Sequence, residues 1–472
     1  LLLETLDGMS HGYQVSDPRG ITEGTGARDA RSWLDRLRVA VQGRCVLPLP
    51  YADADLVALS RAGLTDLESL AIGTGERLVS EQLTVQPLTG VSWPAGETLD
   101  ERTLADLTRL RARAVLLTPR GLGPAASADI VTDTRSPAST TSLGGALPTG
   151  QNSPLGLLVD PLLTSALTDP ANPRSAQNAL GALVYRATKG QGVLLVPPRR
   201  WQASGPEATA LLLTAGQLLA AGLLTPRELP TLATTRPPAG SGPLMVHYPA
   251  PPRAEEIPPQ VTAEIQRDRD VLRDLQVATV LDPAANLKPA TLLDPLRLGL
   301  LRGASAAWRE APALAAQLTL AQTSQLDEVR RSVRIVQPPG PYSLAASDSP
   351  LLITVSNELP VGVQVALNLS ETSGLRAGAV GLQLVPARST RQLIIPAKVS
   401  RAGQFSVDAS LSTPGGTPLG EPSTLQLRST AFGRVTVALT SGAAALLVLL
   451  VARRIVRRVR RQRQLSEPEK AG

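Results

Sequence analysis

Four carboxylates stand where chemistry could be done. Asp53, Asp55, Glu97 and Asp160 each belong to a short apolar run that closes in proline and polar or aromatic residues. The runs are VLPLPYADAD (46–55), VSWPAGE (91–97), LLTPRG (116–121), LLVDP (157–161) and LLVPPRRW (194–201). Runs of this length between helical patterns read as buried parallel strands. The C-terminal ends of such strands share one rim, where α/β sheets and barrels bind ligands. Tyr51, Trp93, Arg120, Arg199, Arg200 and Trp201 would then face the same mouth. Two carboxyl groups flanking a glycosidic bond, one of them kept protonated, can hydrolyse it. Trp93 and Trp201 offer faces for sugar rings, and Arg199 or Arg200 a fork for carboxylate or phosphate. The same residues also suit plain structural work. Asp53, Asp55 and Glu97 lie just before or within a first helical turn, where a carboxylate serves as a cap, and both tryptophans suit packing at the rim.

Other chemistries lack their residues. The chain has 2 histidines, His11 and His247, in no two-histidine motif, which argues against a metal-dependent deacetylase, and no metal site is expected. Asp53-Ala54-Asp55 has the form of a nucleotide-sugar DxD motif, but such donors are scarce outside the cell. Gly24-Thr25-Gly26 and Gly73-Thr74-Gly75 continue into neither a dinucleotide fingerprint nor a phosphate loop, no GxSxG elbow occurs, and no cofactor is expected. Asn368-Leu369-Ser370 fits a glycosylation triplet, a pattern frequent by chance and expected to stay unmodified. Cys45 is the single cysteine, so no intramolecular disulfide forms. Within Cys45-Val46-Leu47 it reads as a buried, inert thiol.

The elements that must position these residues change character along the 472-residue chain. Ala30, Trp33, Leu34, Leu37 and Val41 keep a helical period before the Cys45–Leu49 run. Leu104, Leu107 and Leu110 mark a helix before Ala114–Leu117, and Ala208–Leu219 another after Val193–Val196. Residues 121–150, rich in Ser, Thr, Gly and Pro, read as a long loop, and 230–260 as a break. Helical spacing returns over 260–335. After QPPGPY (337–342) the period becomes two: Val361, Val363, Val365, Leu367 and Leu369 alternate with small and polar residues, as do Phe405, Val407, Ala409 and Leu411. About seven short strands of this kind indicate an immunoglobulin-like β-sandwich without a disulfide. Aromatic residues are scarce, so the cores are built from Leu, Val and Ala.

Charge and hydropathy place the chain. Residues 435–452 are uncharged, long enough at about 1.5 Å per residue to span the hydrocarbon of a bilayer, and followed at once by RRIVRRVRRQR. Arg453, Arg454, Arg457, Arg458, Arg460, Arg461 and Arg463 anchor this helix at an anionic inner leaflet. With Lys470, and against Glu467 and Glu469, they hold +6 of the net +7. The rest is near neutral, which removes the nucleic-acid partner that a pI near 10 first suggests. The positive-inside rule puts the C-terminus in the cytoplasm and the remainder outside. The opening LLLETLDGMSHGY has neither an initiator Met nor a basic n-region, so an export signal is expected upstream of it.

The segments PYADADLVAL, VSWPAGETLDERTL, GVLLVPPRRW and SLAASDSPLLITVSNELPVGVQVALNL, followed by the apolar helix and arginine tail, resemble an uncharacterised family. It is the membrane-anchored "glycoprotein" family of high-GC Gram-positive bacteria, whose genes tend to lie beside that of the lipid II flippase. The resemblance covers nearly the whole chain and implies a cell-envelope setting and a longer N-terminus. The first domain also looks distantly like the barrels of polysaccharide deacetylases and glycoside hydrolases.

The expected chain is multidomain, α/β plus all-β. Residues 1–250 form an N-terminally truncated (β/α) barrel-like domain and 251–340 a helical extension. The immunoglobulin-like sandwich follows over 341–430, the transmembrane helix over 431–456, and the tail over 457–472. Its expected task is non-catalytic: an extracellular domain that binds a glycan, a lipid-linked precursor or a membrane protein of cell-wall synthesis. A carbohydrate-active enzyme using Asp53, Asp55, Glu97 or Asp160 is the alternative, with Tyr51, Trp93, Arg199, Arg200 and Trp201 lining its ligand site. A structural or assembly subunit is the third reading.

Overall fold

The computed structural model describes residues 1–464 except 19, 124–139, 145–152, 169–173, 200, 202, 236, 238–242, 251–254, 345–347, 371–373, 379, 401–402 and 430–433. Two units emerge, each discontinuous in sequence: Leu1–Arg269 with Leu296–Thr323, and Asp270–Pro295 with Ser324–Gly472.

In the first unit, α1 (Leu2–Ser10) leads into a hairpin of β1 (Gln14–Asp17) and β2 (Gly20–Glu23), then α2 (Ala27–Val41). Helix α2 buries Ala30 and Leu34, while Trp33 and Val39 stay exposed. Next come α3 (Leu56–Arg61), α4 (Thr65–Leu83), β3 (Val91–Ser92), α5 (Glu101–Arg109) and β4 (Ala114–Leu117). Helix α5 begins where the Asp100 carboxylate accepts Thr103 N–H at 2.9 Å, one of the donors that a helix N-terminus leaves unpaired. Strands β5 (Thr140–Gly144) and β6 (Leu155–Leu158) follow, then α6 (Pro161–Thr168), α7 (Ser175–Thr188), α8 (Gly205–Ala220), α9 (Leu229–Leu232) and β7 (Leu244–Met245).

The five strands run β3-β4-β6-β5-β7, with β3, β4 and β6 parallel and β5 antiparallel to β6. The sheet is open, with β3 and β7 at its two ends. Successive side chains of β4 point to opposite faces, and all four are buried. Val115 and Leu117 join Leu56, Val57, Leu104 and Leu107 in one cluster, whereas Ala114 and Leu116 join Leu157, Val159 and Val196 in another. Burial on both faces is why the strand is an unbroken apolar run. A third cluster sits among α6, α7 and α8, around Leu163, Leu183 and Leu211.

Four expectations need correction. Cys45–Leu49 is extended but joins no sheet among the described residues; its backbone accepts one bond, Leu88 N–H to Val46 O at 2.8 Å. Pro48 and Pro50 have no N–H to give a ladder. Cys45 is accordingly exposed, not buried. Val193–Val196 is likewise extended and unassigned, with Leu194 O accepting Asp160 N–H at 2.9 Å. Within the expected loop 121–150, Thr140–Gly144 is strand β5; its Thr-Thr-Ser opening carries no apolar run to announce it.

Helices α10 (Pro259–Ala278), α11 (Pro289–Gly303) and α12 (Pro312–Arg331) occupy the region expected to be helical, and the unit boundaries fall within them. The second unit contains β8 (Thr279–Val280), β9 (Val333–Val336), β10 (Tyr342–Leu344), β11 (Leu351–Asn357) and β12 (Gly362–Leu369). It continues through β13 (Leu375–Ala377), β14 (Gln383–Val385), β15 (Ser389–Ile395), β16 (Ala397–Val399), β17 (Gly403–Ser412) and β18 (Pro418–Ser429). One sheet runs β10-β18-β17-β12-β14 with β8 also on β12, a second β15-β11-β9, and β13 pairs β16. Burial alternates along β17, where Phe405, Val407, Ala409 and Leu411 are covered and the residues between are not. Asn357 is buried and satisfied: its amide donates to Val361 O at 2.8 Å and Pro386 O at 2.9 Å, and its carbonyl accepts Leu359 N–H at 3.0 Å.

The last element is α13 (Arg434–Gln464). Its stretch Leu439–Arg460 has 22 residues of mean hydropathy 1.8 with none of that surface buried, long and apolar enough to cross a membrane.

Candidate functional site

Two turns in the first unit are built alike. In Pro50-Tyr51-Ala52-Asp53 the Asp53 N–H returns to Pro50 O at 2.8 Å, and in Pro94-Ala95-Gly96-Glu97 the Glu97 N–H returns to Pro94 O at 3.1 Å. Each turn puts its last two residues in the left-handed region: Ala52 and Asp53 at φ 57° and 51°, Gly96 and Glu97 at φ 68° and 49°. That conformation costs a non-glycine residue roughly 1–2 kcal/mol, so packing must hold it. Tyr51 does so on one side. It is 2% exposed, its hydroxyl donates to Glu4 Oε2 at 2.7 Å and accepts from Arg302 Nη2 at 2.8 Å. Burial and the bond to Glu4 push the phenol up to about 12.

Arg199 ties the turns together. Its guanidinium pairs with Asp53, donates to Trp93 O, and lies 4.9 Å from the centre of the Trp93 ring. Trp93 Nε1 in turn donates to Glu97 Oε1 at 2.8 Å. Burial raises the Glu97 carboxyl above its ordinary value, opposed by the indole N–H and by the Arg199 charge. Asp53, Trp93, Glu97 and Arg199, drawn from three of the five apolar runs, therefore form one cluster.

The remaining candidates sit elsewhere. Asp55 is 1% exposed, caps α3 through Ala58 N–H at 3.2 Å, and takes a fork from Arg309 at 2.8 and 2.9 Å. Asp160 is fully buried, caps α6 through Leu162 N–H at 2.9 Å, and pairs with Arg186 Nε at 2.9 Å. Trp201 is 37% exposed and lines a small pocket of about 30 Å³ with Leu167, Ala179 and Leu211. Arg120 is exposed, and Arg200 lies outside the described residues. The arginines 453, 454, 457, 458, 460, 461 and 463 all lie on α13.

Sequence reasoning missed the partners: Arg309 for Asp55, Arg186 for Asp160, and Glu4 with Arg302 for Tyr51. Arg309 stands 254 residues from Asp55, and no local pattern marks such a pair. It also missed Glu68, fully buried, with neither carboxyl oxygen hydrogen-bonded. Burial, then the neighbouring Asp106, raise that carboxyl to about 8. Among the described residues no group of three or more His, Cys, Asp or Glu side chains is placed to hold a metal.

A family model described as a family of unknown function, DUF6049, matches residues 192–470. No curated protein matches the chain. Similar solved structures include a GH57 branching enzyme from the hyperthermophilic archaeon Thermococcus kodakaraensis in complex with glucose and additives, at 12% identity and TM-score 0.41, covering 65% of this chain and 71% of that one. A Salmonella alpha-2-macroglobulin reacted with methylamine matches at 19% identity and TM-score 0.18, over 21% of this chain and 7% of its own length. WR4, a C. elegans MSP family member, matches at 12% identity and TM-score 0.17, over 21% of this chain and 98% of its own.

Proposed function

Since the chain belongs to DUF6049, a family whose function is unknown, its task has to be read from its own residues, and we propose that it is a non-catalytic, membrane-anchored protein of the cell envelope. In this reading α13 crosses the membrane once with its arginines on the cytoplasmic side. Everything before it is extracellular, and the first unit binds a saccharide of the wall or a lipid-linked precursor. The alternating strands of the second unit act as a spacer, which we read as an immunoglobulin-like sandwich.

The observation that supports this reading is the fate of the carboxylates. Asp53, Asp55 and Asp160 are each neutralised by an arginine, Arg199, Arg309 and Arg186. A hydrolase needs one carboxyl free to act as nucleophile or base and a second kept protonated; three of these four are engaged in holding the fold. The test is retention of the full chain, in detergent, on purified cell-wall glycan. Glu97→Gln keeps an acceptor for Trp93 Nε1, so retention and in-cell function are expected to match the natural chain. No retention of the natural chain sinks the glycan reading.

Glu97 favours one second reading, a carbohydrate-active enzyme, because it is the candidate carboxyl kept toward its protonated form by burial and held in a strained turn. Under that reading Glu97→Gln abolishes function while leaving retention intact. An assembly subunit acting through α13 would instead lose function when α13 is replaced by another apolar helix, with retention unchanged.

A further inference from the structure

A space lies beside the edge of the five-stranded sheet. β3 ends the strand order and pairs with β4. The segment before Tyr51, which the apolar pattern would add as the next strand, instead lies against α4. Gly75 of α4 allows this: a Cβ there would stand 2.1 Å from Leu49 O. Between this segment, α4, β3 and the turn from α5 into β4 lies an open cavity of about 240 Å³.

We propose that this cavity binds one anionic sugar ring, of the hexose phosphate class, with Trp93 and Ser92 facing the ring and Arg111 and Arg113 taking the anion. The proposal rests on the saccharide-binding reading above and gives it a place. Size comes first. The space is below the roughly 300–1,000 Å³ of drug-sized sites, which suits a single ring. Its lining has an apolar side at Ile72 and Leu107, an indole, a hydroxyl, and the Glu76 carboxyl. A flat aromatic beside a few fixed polar groups is a general way to orient a sugar.

Charge selects the anion. The lining carries two arginines, Arg111 and Arg113, against one carboxylate, Glu76, so it is net positive. Arg111 and Arg113 are both exposed, and Arg113 Nη2 donates to Thr89 O at 3.4 Å. Arg199, by contrast, is already held by Asp53. Arg111 also sits at φ 62°, a left-handed backbone that asparagine or glycine would adopt at lower cost.

The test is calorimetric titration of the full chain in detergent with glucose 1-phosphate, glucose and inorganic phosphate in separate runs. Glucose 1-phosphate is expected to bind once per chain and at least about tenfold more tightly than glucose or phosphate. Arg111→Gly, which suits the left-handed backbone, and Arg113→Gln, at an exposed position, should each weaken it about tenfold without unfolding the chain. Equal binding of phosphate and glucose 1-phosphate overturns the sugar site, as does unchanged affinity in both variants. No binding of glucose 1-phosphate by a chain still retained on wall glycan overturns the cavity and spares the broader reading. Binding that both arginine variants weaken, by a chain not retained on glycan, does the reverse.

Discussion

The two units bury different things. All five buried acids of the described residues, Asp55, Glu68, Asp106, Asp160 and Asp268, lie in the first unit. The second unit buries Asn357 and a few hydroxyls between alternating apolar strands. Backbone strain divides in the same direction: Ala52, Asp53, Thr84, Glu97 and Arg111 hold positive φ in the first unit, against Asn286 and Arg388 in the second. A buried charge or a left-handed side chain costs stability unless the surroundings compensate it. The first unit therefore carries more of that cost than the second.

The comparison breaks most clearly at Arg309. Arg309→Met leaves Asp55 charged and buried, and should lower first-unit stability by about 3–5 kcal/mol in urea unfolding, with little change in the second unit's transition. Glu68→Gln runs the other way. Glu68 has a folded pKa of about 8 against an ordinary 4.5, so the folded state binds the extra proton. Its contribution is fully present below pH 4.5 and is lost as pH rises through about 8. The amide cannot ionise, so the variant should gain on the order of 5 kcal/mol at pH 9 and nothing at pH 4; equal gains at both would refute the assignment. In the second unit, Asn357→Ala uncovers buried carbonyls of Val361 and Pro386 and should cost about 2 kcal/mol, independent of pH. The smallest effect is at Thr84, exposed and left-handed at the end of α4. There Thr84→Gly should stabilise by about 1 kcal/mol in thermal unfolding.

What could be read in advance follows the same division. The strict alternation from Val361 to Leu369 announced β12, and that from Phe405 to Leu411 announced β17, because a half-covered strand writes its two faces into its residues. Leu104, Leu107 and Leu110 announced α5 for the equivalent helical reason. In the first unit the gathering of Asp53, Trp93, Glu97 and Arg199 was half legible, since all lie at the ends of apolar runs. The repeat Pro-x-x-Asp and Pro-x-x-Glu was in view but its left-handed geometry was not. Asp55 and Asp160 looked like rim residues because nothing near them names Arg309 or Arg186. Cys45–Leu49 has the apolar content of a strand, but Pro48 and Pro50 deny that segment a ladder.

The bond between Asp55 and Arg309 also sets a schedule. The two residues are 254 apart, and a ribosome adding about 5–20 residues per second needs roughly 10–50 s to bridge that gap. Until Arg309 emerges, Asp55 lacks the guanidinium that holds it in the finished fold. The whole sheet, and α10 and α11 after it, are made in that interval.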